Sequence, residues 1–205
     1  MIIRSIMSRA MICALLMLVS GCLSAPPREN FYTLSSEVPK TQTSDRATSA
    51  ATSISVGPVN ISELVDRPQL VIRTAANRVD ILEQQRWAQP LKNEIARVVA
   101  ENLGALLGSS EVTAYPNNAA VADYRIALTV QQFESIPGQT ATIAALWTVR
   151  RADGKNVEGS MIVNEPLSAE ASADNYEGLV KAHSRALAQL SRRIASSIAT
   201  ISSNQ

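Results

Sequence analysis

Apolar and polar residues alternate in several segments of the chain, which predicts β-strands. The alternation is cleanest at 124–131, where every second residue from Tyr124 to Val130 is apolar, as in a strand with one buried face. Segments rich in aliphatic residues predict further strands at 54–61, 69–74, 79–82, 111–115, 140–151 and 156–164. Asp153-Gly154 favours a tight hairpin turn between the last two of these strands.

Two other segments carry apolar residues every three or four positions, which is the period of an amphipathic helix. The first begins after Pro90, which suits a first helical turn, and ends at Gly108, which suits a left-handed C-cap. The second follows Asp174, which forms a capping-box-like pair with Glu177, and its apolar face continues to Ile201. The order of strands, helix, strands and helix predicts an α/β fold: a mixed β-sheet with two long amphipathic helices packed on it.

The N-terminus has the pattern of a secretory signal peptide. Arg4 and Arg9 precede an uncharged apolar run at 10–19, which is too short to cross a bilayer as a helix. Small residues follow this run and lead to a cysteine. An ordinary cleaved signal and a membrane-retained helix are the alternative interpretations.

The segment Val19-Ser20-Gly21-Cys22 resembles the lipobox of bacterial lipoproteins. This resemblance implies cleavage before Cys22 and acylation of Cys22 with chains such as palmitate, which together anchor the protein stably in a membrane. Leu23 stands where an inner-membrane retention signal has Asp, and this favours the outer membrane, facing the periplasm.

The domain organisation follows from composition. We predict a signal peptide at 1–21, a lipidated N-terminus with a flexible linker at 22–53, and a folded domain at 54–205. Nine of the nineteen residues at 35–53 are Ser or Thr, too polar a segment to bury much apolar surface. Phe31-Tyr32-Thr33-Leu34 precedes it as a β-prone island, which either docks as an edge strand or serves as a free tether. We favour docking, with Phe31 and Tyr32 protected from solvent.

The composition excludes several classes of function. The net charge is +1 and aromatic residues make up 4% of the chain, which gives no support for nucleic-acid binding. One histidine and two cysteines are little material for a metal site or for thiol–histidine chemistry. His183 falls within the apolar face of the last helix, as expected of a buried structural histidine. We therefore predict no enzyme activity, no catalytic residue, no metal and no cofactor.

Trp87 and the basic residues of the last helix are weaker candidates for contacts with a partner. Lys181, Arg185 and Arg192, with the neighbouring Arg193, lie away from the apolar face of the last helix, where they would meet an acidic partner, lipid headgroups or only solvent. Trp87 precedes the first helix and is either a core residue or an interaction hot spot.

Three blocks of sequence resemble the ABC-type transport auxiliary lipoprotein family, also called PqiC-like. They are Phe31-Tyr32-Thr33-Leu34, the pair ISVGPV (54–59) and LVDRPQLV (64–71), and RWAQPL (86–91). The second block differs from the family pattern by the inserted Val65, and the third by Gln89 in place of Glu. The Asp66-Arg67-Pro68 turn has its own physical interpretation as a stiff corner, because Pro68 restricts Arg67 and the Asp66 carboxylate can bind backbone amides.

The resemblance implies a noncatalytic component of an envelope lipid-transport system. Such a component would tether or receive an MCE-domain protein, which works with an inner-membrane transporter, and would support membrane integrity. A periplasmic lipid carrier and a structural lipoprotein of outer-membrane assembly are the alternatives. The resemblance leaves homo-oligomerisation open.

Overall fold

The structure is a computed structural model and describes residues 28–39, 52–167 and 176–203. The strands in these ranges are β1 (Asn30–Tyr32), β2 (Ile54–Ile61), β3 (Gln69–Ala75), β4 (Arg78–Trp87), β5 (Val112–Ala114), β6 (Tyr124–Ile136), β7 (Thr140–Arg151) and β8 (Asn156–Pro166). The helices are α1 (Leu91–Leu107) and α2 (Tyr176–Ser203). The predicted α/β class with two long helices is confirmed, but the strands form two sheets instead of one.

The larger sheet has five strands in the order β5-β2-β6-β7-β8. β2 runs parallel to both of its neighbours, whereas β6, β7 and β8 form antiparallel hairpins. The parallel pairs are possible because α1 carries the chain back between β4 and β5. The predicted turn between β7 and β8 is present, and Gly154 within it has a φ of 93°.

The smaller sheet has the order β1-β4-β3. β3 and β4 form the hairpin predicted across residues 76 and 77. β1 adds to the other edge of β4 in parallel, with Asn30 opposite Gln85 and Tyr32 opposite Trp87. The smaller sheet contacts the larger one through β3 and β6.

The core lies between the five-stranded sheet and the two helices. α1 packs against β2 and β5, and α2 packs against β7 and β8, while the helices also contact each other. Gly108 ends α1 in the predicted left-handed conformation, with φ 64° and ψ 28°. α2 buries more than its apolar face, because Ser184 and Ser191 are also inaccessible where it meets α1 and the N-terminal segment.

Residues 30–38, which we call the N-terminal strap, extend from β1 across both helices. Leu34 and Val38 are 1% and 8% exposed and belong to the apolar core. The strap therefore includes several residues that the sequence analysis assigned to the flexible linker. Phe31 is 61% exposed, contrary to the protection expected for it, so the buried anchor of this segment is Leu34.

Some sequence predictions fall outside the described residues, namely the lipobox with Cys22 and the capping residue Asp174. Neither helix is long and apolar enough to cross a bilayer, as judged over the described ranges. Within those same ranges, no cluster of His, Cys, Asp and Glu has the arrangement of a metal site.

Candidate functional site

Three of the sequence segments that carry the family resemblance, FYTL (31–34), LVDRPQLV (64–71) and RWAQPL (86–91), meet at one corner of the molecule. Tyr32 lies opposite Trp87 in the small sheet, and its carbonyl accepts a 2.8 Å hydrogen bond from the Ala88 N–H. The Trp87 N–H donates to the Pro68 carbonyl at 2.7 Å. The end of β1, the turn before β3 and the link between β4 and α1 are thereby joined by backbone hydrogen bonds. We call the residues around this junction the motif corner: Asp66, Arg67, Pro68, Trp87, Ala88, Gln89, Pro90 and Lys92.

The motif corner encloses an open depression of about 440 Å³. Trp87 forms one wall of it and is itself only 7% exposed. Its ring meets Phe133 edge to face, with the ring centres 6.1 Å apart. Pro68 and Pro90 supply further rigid, apolar surface. Trp87 is thus both a core residue and part of the wall of the depression.

The charged residues of the motif corner are unevenly paired. Lys92 Nζ lies 3.2 Å from Asp66 Oδ2. The Asp66 carboxylate therefore pairs with a lysine, whereas the sequence suggested bonds to backbone amides. The backbone of this turn is instead held by the Ser62 carbonyl, which accepts from the N–H groups of Val65 and Asp66 at 3.0 Å. Arg67 is half-buried, and its buried Nε has no hydrogen-bond partner among the described residues.

The first turn of α1 also faces this corner. Pro90 precedes the helix, and no side chain caps the helix N-terminus. The first backbone N–H groups of a helix lack partners within it, and they give this end a partial positive charge. Arg67, Lys92 and the start of α1 thus make the corner electropositive, with Asp66 as its counter-charge.

A second polar cluster fixes the N-terminal strap to α1. The side chain of Glu94 is fully buried and accepts hydrogen bonds from Thr33 Oγ1 at 2.6 Å and from the Leu34 N–H at 3.0 Å. Arg97 donates to Glu94 at 2.8 Å and to the Leu34 carbonyl at 2.6 Å. Burial alone would raise the pKa of Glu94, but the hydrogen bonds from Arg97, Thr33 and Leu34 and the charge of Arg97 outweigh it and lower the pKa. Glu94 is therefore held as a carboxylate.

The strap is also bonded further along its length. Ser36 Oγ donates to Asn102 Oδ1 at 2.7 Å, and Asn102 Nδ2 donates to Ser191 Oγ at 3.2 Å. The Ser35 N–H donates to Ser184 Oγ at 3.1 Å. The strap, α1 and α2 thus share one hydrogen-bond network. Sequence reasoning missed this network, although Glu94 on the apolar face of a helix was a signal that a partner must come from elsewhere.

His183 occupies the buried face of α2, as its sequence position suggested. Its ring stacks on Phe133 with the ring centres 3.8 Å apart, and Nε2 lies 2.8 Å from Ser135 Oγ. Nδ1 is buried without a partner among the described residues. Burial lowers the pKa of His183 to about 3, so the ring is neutral near pH 7 and a weak base. These contacts are those of a packed core residue.

The basic residues of α2 are not alike. Arg185 is engaged within the fold, because it donates to Glu165 and to the Pro166 carbonyl, both at 2.9 Å. Lys181, Arg192 and Arg193 are exposed. The surface that these three residues form stays a predicted contact area. Arg185 instead stabilises the contact between α2 and the end of β8.

Comparison with known proteins places this chain in a family. Residues 32–195 match the family described as the ABC-type transport auxiliary lipoprotein component. A search of the curated proteins finds no significant match.

Two solved structures share the fold with this chain. A crystal structure of an uncharacterised protein is 17% identical, with a TM-score of 0.67, over 84% of this chain and 99% of that chain. Protein XCC0632 from Xanthomonas campestris, of the family DUF330, is 18% identical, with a TM-score of 0.65, over 86% of this chain and 99% of that chain. The family match begins within the strap and covers the motif corner and most of both helices, and the chain belongs to the ABC-type transport auxiliary lipoprotein family.

Proposed function

We propose that this chain is a lipid-anchored, noncatalytic component of an ABC/MCE-type envelope lipid-transport system. Anchored at Cys22 in the outer membrane, it would hold the MCE-domain protein that connects to the inner-membrane transporter, and so support membrane integrity. The family match supports a transport auxiliary role. The observation that carries the mechanical part of the proposal is the docked N-terminal strap.

The strap decides how far the domain can move from its anchor. If all residues from Leu23 to Ser53 were free, the fully extended segment would let the domain lie up to about 110 Å from the membrane. The strap is instead held by β-pairing, by the burial of Leu34 and by the Glu94–Arg97 cluster. Only five residues lie between Cys22 and Arg28, and six residue steps span at most about 20 Å. Such an anchor makes the domain a fixed landing platform close to the membrane.

The anchor is tested with Cys22→Ala, using Cys13→Ala as the matched control. Both variants remove one cysteine of the signal region, but only the first removes the acylated thiol. We expect Cys22→Ala to accumulate as an unprocessed, mislocalised precursor and Cys13→Ala to be processed normally. Mass spectrometry of the mature wild-type protein should find acyl chains on Cys22. An unmodified Cys22 would refute the anchor.

The tethering role is tested by capture of the MCE-domain protein. The lipidated wild-type protein, reconstituted in outer-membrane lipid vesicles, should retain a purified MCE-domain protein during flotation. Vesicles without the lipoprotein provide the control. Equal flotation in both samples would show that the chain does not act as a tether.

A lipid carrier is the second candidate, because the structure contains a partly apolar groove of suitable size. The groove lies beside β3 and has a volume of about 480 Å³. Its lining combines apolar side chains, among them Leu64, Val71, Ile72, Ala144 and Ile162, with the polar side chains of Arg73, Gln131 and Glu134. Pockets for small ligands occupy about 300–1,000 Å³. A carrier would co-purify with about one lipid per chain, measurable by native mass spectrometry, and Ala144→Trp should abolish this lipid. If the protein purifies without bound lipid, the carrier function is excluded, and the tether and the purely structural lipoprotein remain as candidates.

A further inference from the structure

We propose that the motif corner is a binding site for a carboxylate-bearing segment of a protein partner, an acidic side chain next to an apolar one. This inference rests on the proposed function, because the partner is the MCE-domain protein that the lipoprotein is proposed to hold. Four features of the corner indicate such a site: the unpaired Arg67, the net charge, the apolar walls and the position relative to the anchor.

Arg67 differs from every other partly buried arginine in the described part of the chain. The others each donate to a carboxylate or to a backbone carbonyl; they are Arg73, Arg86, Arg97, Arg125, Arg151 and Arg185. Arg67 makes no such bond, and its Nε is buried. A buried N–H without an acceptor is unfavourable, so the described part of the fold leaves this guanidinium, which lines the depression, without a partner. A guanidinium binds a carboxylate through two parallel hydrogen bonds.

The charge of the corner matches one carboxylate. Arg67 and Lys92 supply two positive charges and Asp66 one negative charge among the lining residues. Asp66 lies against Lys92, which leaves Arg67 as the uncompensated charge. The uncapped start of α1 adds to the positive potential on the same side.

The walls of the depression favour a protein segment as the ligand. Trp87, Pro68 and Pro90 present rigid apolar surface next to the guanidinium. An aromatic residue with an arginine at the centre of a concave surface is the usual composition of an interface hot spot. A peptide that places an apolar side chain beside its carboxylate would use both features.

The position of the corner disfavours the phosphate of a lipid in the anchoring membrane. The chain enters β1 from the Cys22 side at Asn30, and the motif corner adjoins the other end of the strand, at Tyr32 and Trp87. The depression therefore lies at the end of β1 opposite to the one that the anchor approaches.

The test compares Arg67→Gln with Arg86→Gln in the full-length lipidated protein. Each variant removes one partly buried guanidinium, but Arg86 pairs with Glu29 outside the corner. Binding of the purified MCE-domain protein to the lipoprotein in nanodiscs is measured by biolayer interferometry. We expect Arg67→Gln to raise Kd at least tenfold, Arg67→Lys to raise it by a smaller factor, and Arg86→Gln to change it less than twofold. Because the Arg67 side chain makes no hydrogen bond with the described residues, Arg67→Gln should melt at or above the wild-type temperature.

The outcomes separate this inference from the proposed function. If wild type binds the MCE-domain protein and Arg67→Gln binds it equally well, the site is wrong while the tethering function stands. If wild type does not bind, both fail. In a further arm, the full-length lipidated protein in nanodiscs, as wild type and as Arg67→Gln, is titrated with short-chain phosphatidylglycerol or phosphatidylcholine. Arg67-dependent binding to phosphatidylglycerol, without Arg67-dependent binding of the MCE-domain protein, would show a lipid headgroup site and overturn the peptide proposal.

Discussion

At the scale of single residues, the buried polar side chains of this protein divide into those with partners and those without. Glu94 is fully buried yet has four donors around it, from Thr33, Leu34 and Arg97. Arg67 Nε and His183 Nδ1 are buried without an acceptor or donor among the described residues. A fully bonded carboxylate stabilises the fold, whereas an unsatisfied group lowers its stability and needs another explanation. For His183 that explanation is packing on Phe133, and for Arg67 we propose a ligand.

The first prediction concerns Glu94, with Glu101 as its control, since both carboxylates contact Arg97. Glu94→Gln removes a buried charge that several donors share, and we expect the free energy of unfolding to fall by about 1–3 kcal/mol. Glu101 is 44% exposed, so Glu101→Gln should change it by less than about 0.5 kcal/mol. Urea denaturation measures both effects. Faster hydrogen exchange at the Leu34 N–H in Glu94→Gln alone would link the loss to the strap.

At the scale of elements, the N-terminal strap connects the small sheet, the core and the two helices. It supplies the edge strand β1 to the small sheet, a leucine to the core and backbone groups to the network between the helices. No side chain in the strap is large and buried except Leu34 and Val38. Docking therefore depends on a few buried contacts and on bonds to charged groups.

The second prediction compares Leu34→Ala with Phe31→Ala. Leu34 is 1% exposed, and its truncation leaves a cavity between the strap and the helices, which should cost about 2–4 kcal/mol. Phe31 is 61% exposed, so its loss should cost less than about 1 kcal/mol, although it is the larger side chain. Thermal and urea unfolding of both variants measure the two losses of unfolding free energy. A larger loss for Phe31→Ala would mean that the aromatic ring, and not Leu34, fixes the strap.

At the scale of the whole molecule, the two sheets and α2 meet around His183 and Phe133. Phe133 contacts Trp87 of the small sheet on one side and His183 of α2 on the other. The aromatic contacts thus connect the motif corner to the core. Any change that charges His183 should weaken the entire fold, because the ring has no access to water.

The third prediction is therefore a dependence of global stability on pH. The pKa of His183 lies at about 3 in the folded protein and near 6.5 when unfolded, so the unfolded chain binds the extra proton between these values. Stability should be greatest above about pH 6.5 and should fall by about 1.4 kcal/mol per pH unit as the pH drops below it. Chemical denaturation at pH 7.5 and pH 5 measures this slope. His183→Gln should flatten it, and equal slopes in the two proteins would contradict the assignment to His183.

The sequence alone determined the elements whose signals are local. Alternation and aliphatic content predicted the segments 54–61 and 140–151, and both are strands with those bounds. Pro90 and Gly108 marked the two ends of α1, because each residue suits its position through its own backbone geometry. The helical period likewise placed His183 on a buried face. In each case the residues that cause the local structure lie within one short stretch of the chain.

Only the tertiary structure decided which distant residues meet. Periodicity shows that a face is apolar, but it does not say which element covers that face. For that reason the division into two sheets, the parallel pairing of β1 with β4 and the contact of Glu94 with Leu34 could not be predicted from the sequence. The same holds for the motif corner, where Tyr32, Pro68 and Trp87 come together although each block is unremarkable by itself. The candidate site is a product of chain topology, which brings separate turns to one end of the small sheet.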